Sequence, residues 1–151
     1  MTTPAIDKSA RIIRAMLADD MDKFRPLHAG LDSDERRVFA ALFGAAFYKA
    51  ANDKFGKDYS TADVIEFVAE ARTRYLGPET VSAEDAERVI EAVLGEEDLA
   101  NDMSAYARGE AQTAMLIALV RDAGLSAEEI DALLDVAAQQ ARSYFERQGR
   151  R

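Results

Sequence analysis

Apolar residues recur along the chain at intervals of three and four, the spacing of one face of an α-helix. Val64, Phe67, Val68, Ala71 and Tyr75 form one such stripe. Ala86, Val89, Ile90, Val93 and Leu94 form a second, and Ile130, Leu133, Leu134, Ala137, Ala138, Ala141 and Phe145 a third. Charged residues fall on the opposite faces. Glu70–Arg74 and Glu84–Arg88 stand in the acid-first i,i+4 order that supports an exposed helical surface. No segment alternates for long enough to be a strand. The pattern predicts an all-α fold.

Caps and breakers divide the pattern. Gly30, Gly56, Gly77, Gly95, Gly124 and Gly149 each follow a helical stretch, and Pro78 bars continuation past Gly77. Ser60 with Asp63, Ser82 with Asp85 and Ser126 with Glu129 have the spacing of a capping box. Asp32 or Ser33 is placed to cap the second helix, and Thr3 the first. About six helices result, over 4–25, 33–55, 61–76, 83–94, 98–123 and 127–148. They are expected to form one domain over residues 1–151, with 149–151 a frayed tail.

Two stretches are apolar nearly all round: Val38–Tyr48 and Ala114–Val120. A helix apolar on every side belongs inside, so helices two and five are expected at the centre of the bundle. Each carries an interior glycine, Gly44 and Gly109. Glycine inside a helix costs roughly 1 kcal/mol relative to alanine. Close approach of a neighbouring helix would offset that, so a tight crossing is predicted at Gly44, with Gly109 the candidate counterpart. The functional alternative is a ligand pocket formed by Phe39, Phe43, Gly44, Phe47 and Gly109. Aromatic residues at this spacing more commonly fill a core.

Composition narrows the classes of function. The chain of 151 residues has 28 acidic and 19 basic side chains and a net charge of -9. That balance opposes sequence-independent binding to nucleic acid. Cysteine is absent, which removes disulfides, thiolate ligands and a cysteine nucleophile. The opening MTTPAIDKSARIIRAM lacks the apolar core of a secretory signal. The longest strongly apolar run, AMLIALV, is far short of the roughly 18 residues of a membrane span. A soluble, cytoplasmic protein without membrane attachment is expected.

No catalytic set emerges. His28 is the sole histidine, read as a loop or helix-end residue, and it cannot make a two-histidine metal site. Ser33, Ser60, Ser82 and Ser126 stand at caps, while Ser9, Ser104 and Ser143 read as helix-interior residues without a nucleophile motif. FGKD at 55–58 lacks the spacing of a phosphate loop, and GxGxxG does not occur. Glu96, Glu97, Asp98 and Asp102 favour the positive end of a helix dipole, and no metal or cofactor is expected there. Asp20, on the apolar side of helix one, is a candidate partner for an arginine.

The leading expectation is therefore a non-enzymatic helical protein, an adaptor, regulator or assembly subunit, acting on a protein partner or by self-association. Helix one is the candidate interface through Ile6, Ile12, Ile13, Met16, Leu17 and Met21. One alternative is a small-molecule binder or carboxylate-based enzyme using the pocket beside Gly44. Another is a nucleic-acid binder using Lys49, Lys54 and Lys57, which gather among Tyr48, Phe55 and Tyr59.

Overall fold

The computed structural model describes residues 3–76 and 80–149. It contains seven α-helices among those residues and no strand: α1 Thr3–Leu17, α2 Met21–Ala29, α3 Ser33–Phe55, α4 Thr61–Arg74, α5 Ala83–Val93, α6 Ala105–Ala123 and α7 Ala127–Gly149. A short 3-10 turn, Glu97–Ala100, precedes α6. The chain divides into two compact units, one built from 1–46 with 125–151, the other from 47–124. Helix α3 supplies its first half to the first unit and its second half to the other.

Most helix starts follow the local chemistry. Ser60 and Asp63 complete a reciprocal capping box at α4. At α7, Ser126 Oγ accepts from the Glu129 amide at 3.2 Å and Glu129 Oε1 from the Ser126 amide at 3.1 Å. Ser82 caps α5 through the Asp85 amide at 3.1 Å. Asp32, not Ser33, caps α3, accepting from the Glu35 amide at 2.8 Å. Thr3 is the first residue of α1 and not the one before it. Gly124 closes α6 in the left-handed conformation, φ 64°. The predicted stop at Gly77–Pro78 lies outside the described residues, as do Arg150 and Arg151 of the predicted tail; Gly149 ends α7.

Two predicted helices are each broken in two. The first ends at Leu17, Asp19 takes a left-handed φ of 61°, and Asp20 caps a new helix by accepting from the Lys23 amide. Asp20 is exposed and serves as a helix cap, not as a buried partner for an arginine. The predicted fifth helix is likewise interrupted after the 3-10 turn, and Ser104 caps α6 through the Ala107 amide at 3.1 Å. Ser104 is therefore a cap, not a helix-interior residue.

In the first unit α1 packs on α2 and α7. Lys8 of α1 meets Glu35 of α3 at 2.7 Å, and Arg14 pairs with Asp131 of α7. Ile6, Ile12, Ile13, Met16 and Leu17 are all buried, and Met21 is half-buried at the start of α2. Five of the six residues expected to form an interface are thus buried in their own unit. Fully burying an aliphatic side chain stabilises by about 1.5–3 kcal/mol, so α1 is held by its own unit. In the second unit α5 packs on α4, α6 and the 3-10 turn. Helix α6 buries Ala111, Ala114, Met115, Leu116, Ala118, Leu119 and Val120, as an all-round apolar segment should.

Helix α3 departs from that expectation. It buries Val38, Leu42, Phe43, Ala46, Phe47 and Ala51, but Ala40, Gly44 and Tyr48 are exposed. Alanine and glycine count as apolar, yet they remove too little surface from water to force a helix face inward.

Ser9 of α1 is fully buried, and its hydroxyl has no hydrogen-bond partner among the described residues. An unsatisfied buried hydroxyl costs about 1–3 kcal/mol. Ser9→Ala is predicted to raise stability by about 1 kcal/mol in urea denaturation. A lower midpoint would show instead that this hydroxyl is bonded.

Candidate functional site

The tight crossing predicted at Gly44 does not occur. A Cβ placed on Gly44 would meet no atom within 4 Å, and the same holds at exposed Gly109. Gly44 instead lies on the floor of an open groove of about 580 Å³ between α3 and α7. Helix α3 contributes Arg37, Ala40, Ala41, Gly44 and Ala45, one turn after another. Helix α7 contributes Gln140, Ala141, Tyr144, Phe145 and Arg147. Small side chains make the floor because they recur every third and fourth residue of α3, leaving a channel where larger residues would have filled the space.

The rim is aromatic and cationic. Tyr144 is 45% exposed and packs edge-on against Phe145, ring centres 5.2 Å apart. The Arg37 guanidinium lies 6.0 Å from the Phe145 ring centre, within reach of a cation–π attraction. Neither Arg37 nor Arg147 forms an ion pair among the described residues. Among the described residues no carboxylate lines this groove.

A second groove of about 910 Å³ shares Arg37 and Phe145 with the first and extends to Pro4, Ala5, Lys8 and Arg11 of α1. Its charge is mixed. Asp32, Asp34 and Glu35 face it from the start of α3, and Glu35 is already held by Lys8 and by the Asp32 amide at 3.0 Å. The hydrogen bond from the Asp32 amide, then that from Lys8, lowers the Glu35 carboxyl below its ordinary value.

The groove at Gly44 is lined by none of Phe39, Phe43, Phe47 or Gly109. Phe43 and Phe47 are buried as core. Phe39 is half-buried and joins an aromatic series in which its ring lies 5.2 Å from His28 and 6.0 Å from Phe43. His28 sits in the last turn of α2, stacked on Phe24 at 5.4 Å. It is a helix-end residue, as expected, and packs between rings.

The lysine cluster is largely neutralised. Lys49 pairs with Asp53 at 2.7 Å, and Lys54 with Asp122 at 2.9 Å while lying over the Phe67 ring. Lys57 is left exposed. A surface whose cations are already paired offers little to a phosphate backbone. Around the 3-10 turn Glu96, Glu97 and Asp98 line an open depression with Leu99. No group of three or more histidine or carboxylate residues suited to a metal ion occurs among the described residues. Sequence reasoning missed the rim of the groove. The only signal was the recurrence of alanine and glycine on α3 opposite Phe145, and that became interpretable only once α3 and α7 were known to be neighbours.

Gly44→Ala is predicted to stabilise the protein by about 0.5–1 kcal/mol, since the added methyl meets open space in a helix interior. A lower melting temperature would reveal a neighbour at that position. Glu35→Gln keeps the cap acceptor and loses the charge facing Lys8. Because the folded carboxyl sits below its ordinary value of 4.5, its ionisation adds stability above that value and loses it as pH falls through the lowered one. Wild type should therefore exceed Glu35→Gln in denaturant midpoint at neutral pH, and the gap should close in acid. A gap independent of pH would contradict this.

Comparison of the chain with protein-family models, with curated proteins and with solved structures returns no match.

Proposed function

We propose that this is a non-enzymatic helical protein that acts through protein–protein contacts, and that the α3–α7 groove is its contact face. The observation that carries the reading is the groove itself: an apolar floor of small residues, an exposed tyrosine and two arginines without ionic partners in one unit. Tyrosine and arginine dominate the energetics of protein interfaces, and small residues let a second backbone approach closely. We prefer this groove to α1 because Ile6, Ile12, Ile13, Met16 and Leu17 are already buried in their own unit. Two of the three lysines of the nucleic-acid alternative are occupied by carboxylates. No helix among the described residues is long and apolar enough to cross a membrane. We place the contact in the cytoplasm, in keeping with a chain that has no cysteine.

The test is photocrosslinking in the source cells. A benzophenone amino acid is placed at Ala40 or Tyr144 in the groove, and at Ile65, an exposed residue of α4, as control. A discrete protein adduct is expected from the two groove positions and not from the control. No adduct above background at either groove position would end the reading.

A further inference from the structure

The groove also specifies the chemistry of what it holds. We propose that it docks an acidic amphipathic helix of a partner protein, with alanine or leucine on the face laid against α3 and glutamate or aspartate on its flanks. This rests on the protein-contact reading above and adds the partner class.

The first argument is steric. Ala40 and Gly44 are exposed on successive turns of α3, and nothing stands within 4 Å of a Cβ at Gly44. A strip of surface with so little relief accepts a helix packed at the short end of the usual 8–10 Å interaxial range. The groove is also open between α3 and α7 instead of being an enclosed cavity, which suits a rod better than a small molecule.

The second argument is electrostatic. Among the described residues, the fully charged side chains that line the groove are Arg37 and Arg147. Both are exposed, and neither is paired with a carboxylate among the described residues. The rest of the molecule is acidic, with a net charge of -9. Asp32, Asp34 and Glu35 line the adjoining groove that shares Arg37, with Glu35 held by Lys8; within the α3–α7 groove the two guanidiniums set the sign of what docks, and charge farther than about 8 Å is screened at physiological salt. Guanidinium groups bind carboxylates through paired donors, and Tyr144 between them supplies a large apolar contact with a polar tip.

A second copy of this chain is the poorer occupant. Self-association of this kind is commonly two-fold, and the groove of one copy would then face the groove of the other. That arrangement brings the arginines of both copies together with no carboxylate of the groove to meet them.

The probe is a fluorescein-labelled synthetic helix of roughly 18 residues, long enough to hold helical structure on docking. One face carries alanine and leucine, and the flanks carry glutamate. A matched peptide has lysine in place of each glutamate. Anisotropy titration with the full chain is expected to show binding of the glutamate peptide only. Arg37→Ala and Arg147→Ala should each weaken it about tenfold, the size expected for a lost charged hydrogen bond. Gly44→Leu, which fills the floor without touching the core, should abolish it. Equal binding of both peptides, no binding of either, or binding unchanged by all three variants would overturn the proposal. So would a wild-type dimer in sedimentation velocity that Gly44→Leu converts to monomer, because the groove would then belong to a second copy. A groove crosslink in cells together with failure of the glutamate peptide would leave the protein-contact reading standing and remove the acidic-helix class; failure of both would remove the contact face itself.

Discussion

The first unit depends on one turn between α1 and α2. The amides of Ala18, Asp19 and Asp20 bond back to the carbonyls of Arg14, Met16 and Ala15, and Asp19 takes a left-handed conformation to close the helix. A non-glycine residue pays about 1–2 kcal/mol for that conformation, and aspartate is among the few that adopt it routinely. Asp20 then begins the next helix. The turn lets α2 pack on α1 instead of extending it, and α2 in turn carries His28 to the ring of Phe39.

How much of this was legible depends on how local the cause is. The boxes at Ser60 and Ser126 involve residues three positions apart, so their spacing alone located two helix starts. The break at Asp19 was hidden because Leu17, Met21 and Phe24 continue a helical spacing straight through it. Periodicity reports which residues share a face, not whether the backbone between them is continuous. Ser104 was hidden for a related reason: Ala107 stands where an acidic residue would have signalled a box.

The same distinction accounts for the two apolar helices. α6 carries Met115, Leu116, Leu119 and Val120, each with enough surface to demand burial. α3 reaches a comparable apolar character partly through alanine, and on its small-residue side Ala40 and Gly44 are exposed while Ala41 and Ala45 are half-buried. Whether such a side is a core face or an open groove is decided by its neighbour, here α7 with Ala141 and Phe145. Charge behaves likewise. Lys49 and Lys54 form a cluster in sequence but are consumed by Asp53 and Asp122, whereas Arg37 and Arg147, distant in sequence, share a rim without ionic partners. The Lys49–Asp53 pair is one helical turn apart and local, but the Lys54–Asp122 pair is tertiary, so local density of one charge sign was a poor guide.

The order of the chain through the two units imposes a sequence of events during synthesis. Residues 47–124 form one uninterrupted stretch. The other unit requires α7, which is made after that stretch, before α1 has its full partner and before Arg14 can reach Asp131. The inserted unit can therefore complete itself while the unit that surrounds it in sequence is still waiting, with α1 exposing Ile12, Ile13 and Met16 in the interim. The α3–α7 groove comes into being only once α7 has been made. A nascent chain that lacks α7 cannot engage a partner there, so any activity that resides in the groove waits on the synthesis of that helix.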